Sequence, residues 1–82
     1  MSCYIVFPSL TSAQRFGAAL RRKGVPSSLV KTPRELEEKG CSYGIRIVDR
    51  WMEEAMDIMG KSGIGKYRVY LRDGEGYREV TT

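Results

Sequence analysis

The sequence contains no histidine and only two cysteines, Cys3 and Cys41. Without an imidazole, the chain cannot supply a Ser-His-Asp triad, a Cys-His dyad or a zinc site that uses histidine. Two cysteines alone make a poor metal site, so we expect neither a metal nor a cofactor. These absences favour a protein without independent catalytic activity.

The sequence also has no long hydrophobic run. The apolar residues near the N-terminus lack a preceding basic region and stop at Pro8, which is not the pattern of a secretory signal. Hydrophobic residues make up 41% of the 82 residues, too many for a disordered tail and too interrupted for a membrane segment. We therefore expect a small cytoplasmic domain with one modest core and no membrane association.

The charge is moderately basic, with 14 Lys and Arg residues against 10 Asp and Glu residues. A formal charge of +4 is compatible with an acidic partner or with nucleic acid. An ordinary solvated surface explains it equally well, so the charge alone identifies no partner.

Hydrophobic periodicity predicts four strands and two helices. The strands are predicted at residues 3–7, 28–31, 43–48 and 67–72. A capping box of Thr11 and Gln14 predicts helix one over residues 12–23, with Gly24 ending it. The second helix is predicted to follow Asp49 and to end at Gly60. Its apolar stripe consists of Met52, Ala55, Met56 and Met59.

This order of elements predicts an α+β domain with the ferredoxin-like βαββαβ fold. Right-handed crossovers would give a four-stranded antiparallel sheet over residues 1–72 with both helices on one face. Residues 73–82 are predicted to form a C-terminal hairpin arm or a tail, which could add an edge strand to this sheet or to the sheet of a neighbouring subunit. A further capping box, Thr32 with Glu35, predicts a single helical turn closed by Gly40.

Cys41 is the leading candidate for a reactive group. The predicted topology places it at the end of the sheet where strand one ends and helix one begins. The backbone N–H groups of Ser12 and Ala13, the positive end of the helix dipole and the guanidinium of Arg34 would all favour a thiolate there. The alternative is that Cys41 is a small apolar residue packed under a loop.

Cys3 belongs to the inward set of strand one and is predicted to lie in the core. It would lie roughly 15 Å from Cys41, at the opposite end of the sheet, because five strand residues at about 3.3 Å each separate the two ends. We therefore expect no disulfide between them.

Three short motifs resemble those of a family of small selenium or sulfur carrier-like domains. They are Phe7-Pro8-Ser9, Thr32-Pro33-Arg34 and the segment that begins Cys41-Ser42-Tyr43-Gly44. The resemblance implies that Cys41 accepts sulfur or selenium as a persulfide or selenosulfide and passes it from a donor enzyme to an acceptor enzyme. Arg34, Thr11 and Ser12 would then surround the bound group and stabilise its charge.

Two other functions compete with this hypothesis. The chain could be a non-catalytic interaction module, or a homodimer, that uses its C-terminal arm or a sheet face carrying Tyr4, Tyr70 and Arg46. The same face could stack single-stranded nucleic acid. This last interpretation ranks lowest because the glycine-aromatic signature of that recognition mode is missing.

Overall fold

The computed structural model of the protein describes residues 2–34, 43–74 and 76–80. Cys41 lies outside the described residues, and so does most of the predicted helical turn that Gly40 was expected to close. Arg34, the last described residue before that segment, is in helical conformation.

The described residues form one antiparallel sheet of five strands. The strands are β1 (Ser2–Phe7), β2 (Ser28–Lys31), β3 (Tyr43–Val48), β4 (Arg68–Asp73) and β5 (Gly76–Val80). Their order across the sheet is β2-β3-β1-β4-β5, so β1 is the central strand. The α+β class is confirmed, and the order of the first four strands is compatible with a ferredoxin-like arrangement. The sheet has a fifth strand because β5 pairs with β4 along its length.

Both helices, α1 (Leu10–Arg22) and α2 (Met52–Ser62), pack on the same face of the sheet. A short 3-10 turn, Asp49–Trp51, leads into α2. Alternate residues of the strands point into the core beneath the helices. The core residues are Cys3, Ile5, Phe7, Ala13, Phe16, Leu20, Val25, Ile45, Ile47, Ala55, Ile58, Met59 and Val69.

Helix α1 begins two residues earlier than the sequence pattern predicts. Its N-cap is Ser9, whose backbone is extended and whose hydroxyl accepts a hydrogen bond from the N–H of Ser12. The predicted cap, Thr11, is instead an exposed residue of the first turn. Gly24 ends the helix as predicted, with φ of 75°, and the N–H of Val25 donates to the Leu20 carbonyl at 2.9 Å.

Helix α2 ends later than predicted. Gly60 lies inside the helix. The chain leaves the helix at Gly63, which adopts the left-handed conformation with a φ of 79°, a conformation that favours glycine. The hydroxyl of Ser62 donates to the Met59 carbonyl at 2.8 Å and accepts from the N–H of Ile64 at 3.1 Å. Ser62 thus joins the last helical turn to the chain that leads into β4.

Two glycines allow close packing around the sheet. A Cβ at Gly17 of α1 would lie 3.3 Å from the terminal methyl of Ile45, so the helix approaches β3 closely. A Cβ at Gly44 of β3 would lie 3.1 Å from a methyl of Val6 in the neighbouring strand.

Neither described helix is long and apolar enough to cross a membrane.

Candidate functional site

One end of the sheet collects the chain segments that the sequence hypothesis places around the reactive group. Tyr43, the first residue of β3, is paired with Phe7 at the end of β1 and with Lys31 at the end of β2. Helix α1 begins at Leu10, three residues after Phe7. The ends of β1 and β2, the start of β3 and the N-terminus of α1 therefore meet here.

The N-terminus of α1 differs in detail from the sequence expectation. The N–H of Ser12 donates to the Ser9 hydroxyl at 3.2 Å, and the N–H of Ala13 donates to the Ser9 carbonyl at 3.3 Å. Both groups were expected to be free, and both are used by the cap. The N–H groups without an acceptor inside the helix belong to its first positions, Leu10 and Thr11.

The charged residues of α1 are arranged favourably for its helix dipole. The first turn of α1 contains no acidic residue, while its last turn carries Arg21 and Arg22. Since the first turn of the helix carries no carboxylate of its own, the partial positive charge of the helix dipole is not offset within that turn and favours an anion near Thr11.

The predicted site residues occupy different settings. Thr11 and Arg34 are exposed, and Ser12 is half-buried on the same helical turn as Thr11. Within the described ranges, no hydrogen bond joins Arg34 to Thr11 or Ser12. The structure thus brings Thr11 and Ser12 together and leaves Arg34 accessible at the end of the segment that follows β2.

Thr32 is a buried polar residue that the sequence analysis names as a helix cap and as part of one motif, but not as a site residue. Its side chain is 3% exposed, and its hydroxyl oxygen has no hydrogen-bond partner among the described residues. The signal that could have drawn attention to it is its position ahead of Pro33 and Arg34, in one of the three motifs.

Two large hydrophobic side chains are exposed at this end of the sheet. Leu10 and Tyr43 are each 37% exposed, although both belong to regular elements. They flank the N-terminus of α1 and the start of β3, and they offer apolar contact to another protein.

Cys3 lies in the core, as predicted, with no exposed surface. It pairs with Ile47 near the far end of β3, away from Tyr43. Burial, with a smaller effect from the carboxylate of Asp49, raises the pKa of the Cys3 thiol to about 11. A thiol in this environment is a poor nucleophile.

The face of the sheet opposite the helices is less accessible than the sequence hypotheses require. Tyr4 and Tyr70 are only 8% and 5% exposed, and the ring of Tyr77 packs edge-on against Tyr4 at 5.6 Å. Neither buried ring can serve as a stacking platform for a nucleic-acid base. Arg46 remains exposed on this face, so only the charged part of the proposed interaction surface is available.

The described residues contain no group of three or more acidic, cysteine or histidine side chains that could hold a metal ion.

The sequence matches the family described as "Putative Se/S carrier protein-like" over residues 2–71. A comparison with curated proteins finds no match.

Proposed function

The chain belongs to the Se/S carrier-like family, and from that premise we propose that it carries sulfur or selenium on Cys41 and passes it to a partner enzyme. The ferredoxin-like unit formed by β1 to β4 and the two helices would present this residue. Strand β5 extends the sheet beyond β4, at the edge opposite β2. The protein would act as a carrier and not as an enzyme with its own substrate.

The proposed loading step is the transfer of one sulfur atom from a donor persulfide to the Cys41 thiolate. The Cys41 thiolate attacks the outer sulfur of a donor persulfide, a new S–S bond forms on Cys41, and the donor S–S bond breaks. The donor leaves as a thiolate, so no external oxidant or reductant is needed. With a selenium donor, the corresponding product is a selenosulfide.

The pairing of Tyr43 with Phe7 is the observation that carries this proposal. Cys41 precedes Tyr43 by two residues, and two residues of chain span at most about 7 Å. Chain length therefore limits only the separation of Cys41 from Tyr43, and Tyr43 lies at the sheet end where Leu10 opens α1. A charged persulfide at this end would be stabilised by the helix dipole and by N–H donors.

Two further features support the proposal. The exposed guanidinium of Arg34 lies in the segment that connects β2 to Cys41 and can add positive charge. The exposed side chains of Leu10 and Tyr43 offer an apolar surface to which a donor or acceptor enzyme can bind while the sulfur is transferred.

The test is whole-protein mass spectrometry after incubation with a persulfide donor. We expect the protein to gain the mass of one sulfur atom, which a reductant then removes. Cys41→Ser should abolish this gain. Cys3→Ser should retain it, because Cys3 is buried.

The role of charge is tested by alkylation rates measured as a function of pH. The Cys41 thiol should titrate below the free-cysteine value of about 8.5, and Arg34→Ala should raise its apparent pKa. Arg22→Ala is the matched control, because it removes an exposed arginine from the far end of α1. Sulfur loading that persists in Cys41→Ser, or slow alkylation of both cysteines, would refute the proposal.

The alternative function is an interaction module without sulfur chemistry. The surfaces first considered for this alternative are less accessible than it requires. Tyr4 and Tyr70 are buried, and β5 pairs with β4 of its own chain. The exposed Leu10 and Tyr43 would serve either function, so failure of the loading experiment would leave this alternative standing.

A further inference from the structure

A groove of about 750 Å³ lies between α1 and α2. Its floor is apolar and is formed by Ala18, Ala19, Val25, Trp51, Ile58 and Ile64. The small side chains of α1 and the larger ones of α2 leave a depression between two neighbouring helices. A depression of this shape suits the apolar ridge of a third helix.

The two walls of the groove carry opposite charge. The α1 wall contributes Arg15, Arg22 and Lys23, whereas the α2 wall contributes Glu54, Asp57 and Lys61 and so keeps a net negative charge. Such a groove offers both an anionic and a cationic edge to whatever occupies it.

The charges on the two walls do not neutralise each other. Asp57 pairs with Lys61 of its own helix at 3.1 Å, and within the described part of the chain no ion pair joins the α1 wall to the α2 wall. Glu54 on one side and Arg15 and Arg22 on the other therefore remain available to charges of a ligand across an apolar floor.

We propose that this groove docks an amphipathic helix of a partner protein, with acidic residues along the edge that faces α1 and basic residues along the edge that faces α2. The apolar stripe of the partner helix packs on Ala18, Ala19 and Ile58. Opposite charges on the two edges set its rotation about its own axis, because either single-sign helix would meet one repulsive wall.

The location of the groove relates the docked partner to the sulfur site, an inference that rests on the proposed carrier function. The groove includes Ser62 and Ile64, which lie where α2 ends and the chain enters β4. Arg68 at the start of β4 pairs with Val6, next to the end of β1, so this end of the groove lies toward the N-terminus of α1, while Arg22 and Trp51 mark its other end. A partner helix bound along the groove would have one of its ends directed toward the proposed sulfur site.

Trp51 provides a built-in reporter, because it lines the groove and is the only tryptophan in the chain. The probes are three synthetic peptides of about 13 residues, roughly 20 Å when helical, with the same leucine stripe. The bipolar peptide has Glu on one edge and Lys on the other. The acidic peptide has Glu on both edges, and the basic peptide has Lys on both.

The bipolar peptide should shift the Trp51 emission to the blue and bind at least roughly tenfold more tightly than either single-sign peptide. Arg15→Glu combined with Arg22→Glu should remove that preference, and so should Glu54→Arg. Arg46→Glu, on the opposite face of the sheet, is the matched control and should leave binding unchanged. All positions are exposed, and far-ultraviolet circular dichroism verifies that each variant is folded.

An unchanged Trp51 emission, tighter binding of the acidic peptide, or equal binding by the Arg15/Arg22 variant and the unmodified chain would overturn the docking proposal. The titrations are repeated with Cys41→Ser, which cannot load sulfur but should bind the bipolar peptide normally. Lost peptide binding with intact sulfur loading refutes the docking site alone. Intact peptide binding with no sulfur loading refutes the carrier function and leaves the groove as a docking site.

Discussion

The buried thiol of Cys3 leads to a quantitative prediction about its reactivity. In Cys41→Ser, Cys3 is the only thiol, and its pKa of about 11 stands above the ordinary value of 9.0 because of burial and the nearby Asp49 carboxylate. Two pKa units correspond to about a hundredfold less thiolate at neutral pH. We expect alkylation of folded Cys41→Ser to be at least that much slower than alkylation of the same protein in denaturant.

The same shift makes stability depend on pH in a defined direction. The folded protein holds the Cys3 proton more tightly than the unfolded chain does, so this contribution is fully present below about pH 9 and is lost as the pH rises toward about 11. At about 1.4 kcal/mol per pKa unit, the loss in free energy of unfolding approaches roughly 3 kcal/mol.

The assay is urea denaturation at several pH values across this window, together with alkylation kinetics. Cys3→Ala in the Cys41→Ser background is the control, because it removes the thiol and retains every other side chain. Its free energy of unfolding should fall less steeply with pH. Alkylation at the denatured rate, or an identical pH dependence in the Cys3→Ala variant, would refute the reasoning.

Three further comparisons test the fold through thermal unfolding. Gly60→Ala should raise the free energy of unfolding by about 0.5–1 kcal/mol, because the residue lies inside α2 with open space around it, whereas a helix that ended at Gly60 would be destabilised. Gly63→Ala should lower the midpoint by roughly 4–8 °C, since about 1 kcal/mol is lost at its positive φ, and an unchanged midpoint would contradict the observed helix end. Gly44→Ala should cost about 1–3 kcal/mol, because its Cβ would lie 3.1 Å from a methyl of the fully buried Val6. Gly17→Ala is the control for Gly44→Ala and should change the free energy of unfolding by less than about 1 kcal/mol. Alanine has the higher helix propensity, and only the flexible end of the Ile45 side chain must move. Equal losses of stability at both glycines would contradict this packing.

Local chemistry was sufficient to predict the strands. β2 and β3 have the predicted bounds, because alternation and the flanking turn residues leave little choice of register. The helix ends were harder to predict because each offered two candidates. Ser9 and Thr11 can both cap α1, and Gly60 and Gly63 can both end α2. The choice depends on which residues pack against the sheet, which a local pattern does not contain.

For the candidate site, the sequence predicted which chain segments meet at one end of the sheet, and the site itself stays a prediction. The meeting of the ends of β1 and β2 with the start of β3 follows from topology, and the pairing of Tyr43 with Phe7 and Lys31 agrees with it. The burial of Tyr4 could not be predicted in the same way, because it depends on contact with Tyr77 from a distant strand. Alternation identifies the face on which a side chain lies but not what covers it.

The central position of β1 has a consequence for the order in which the chain folds. Its partners are β3 and β4, so residues 2–7 can complete their backbone hydrogen bonds only after residues 68–71 are available. Pairings between such distant segments slow folding relative to a helical bundle of equal size. Until they form, the apolar segment that contains Tyr4, Ile5, Val6 and Phe7 has both edges open. Aggregation during folding should therefore start from this segment, although it is the best protected part of the finished protein.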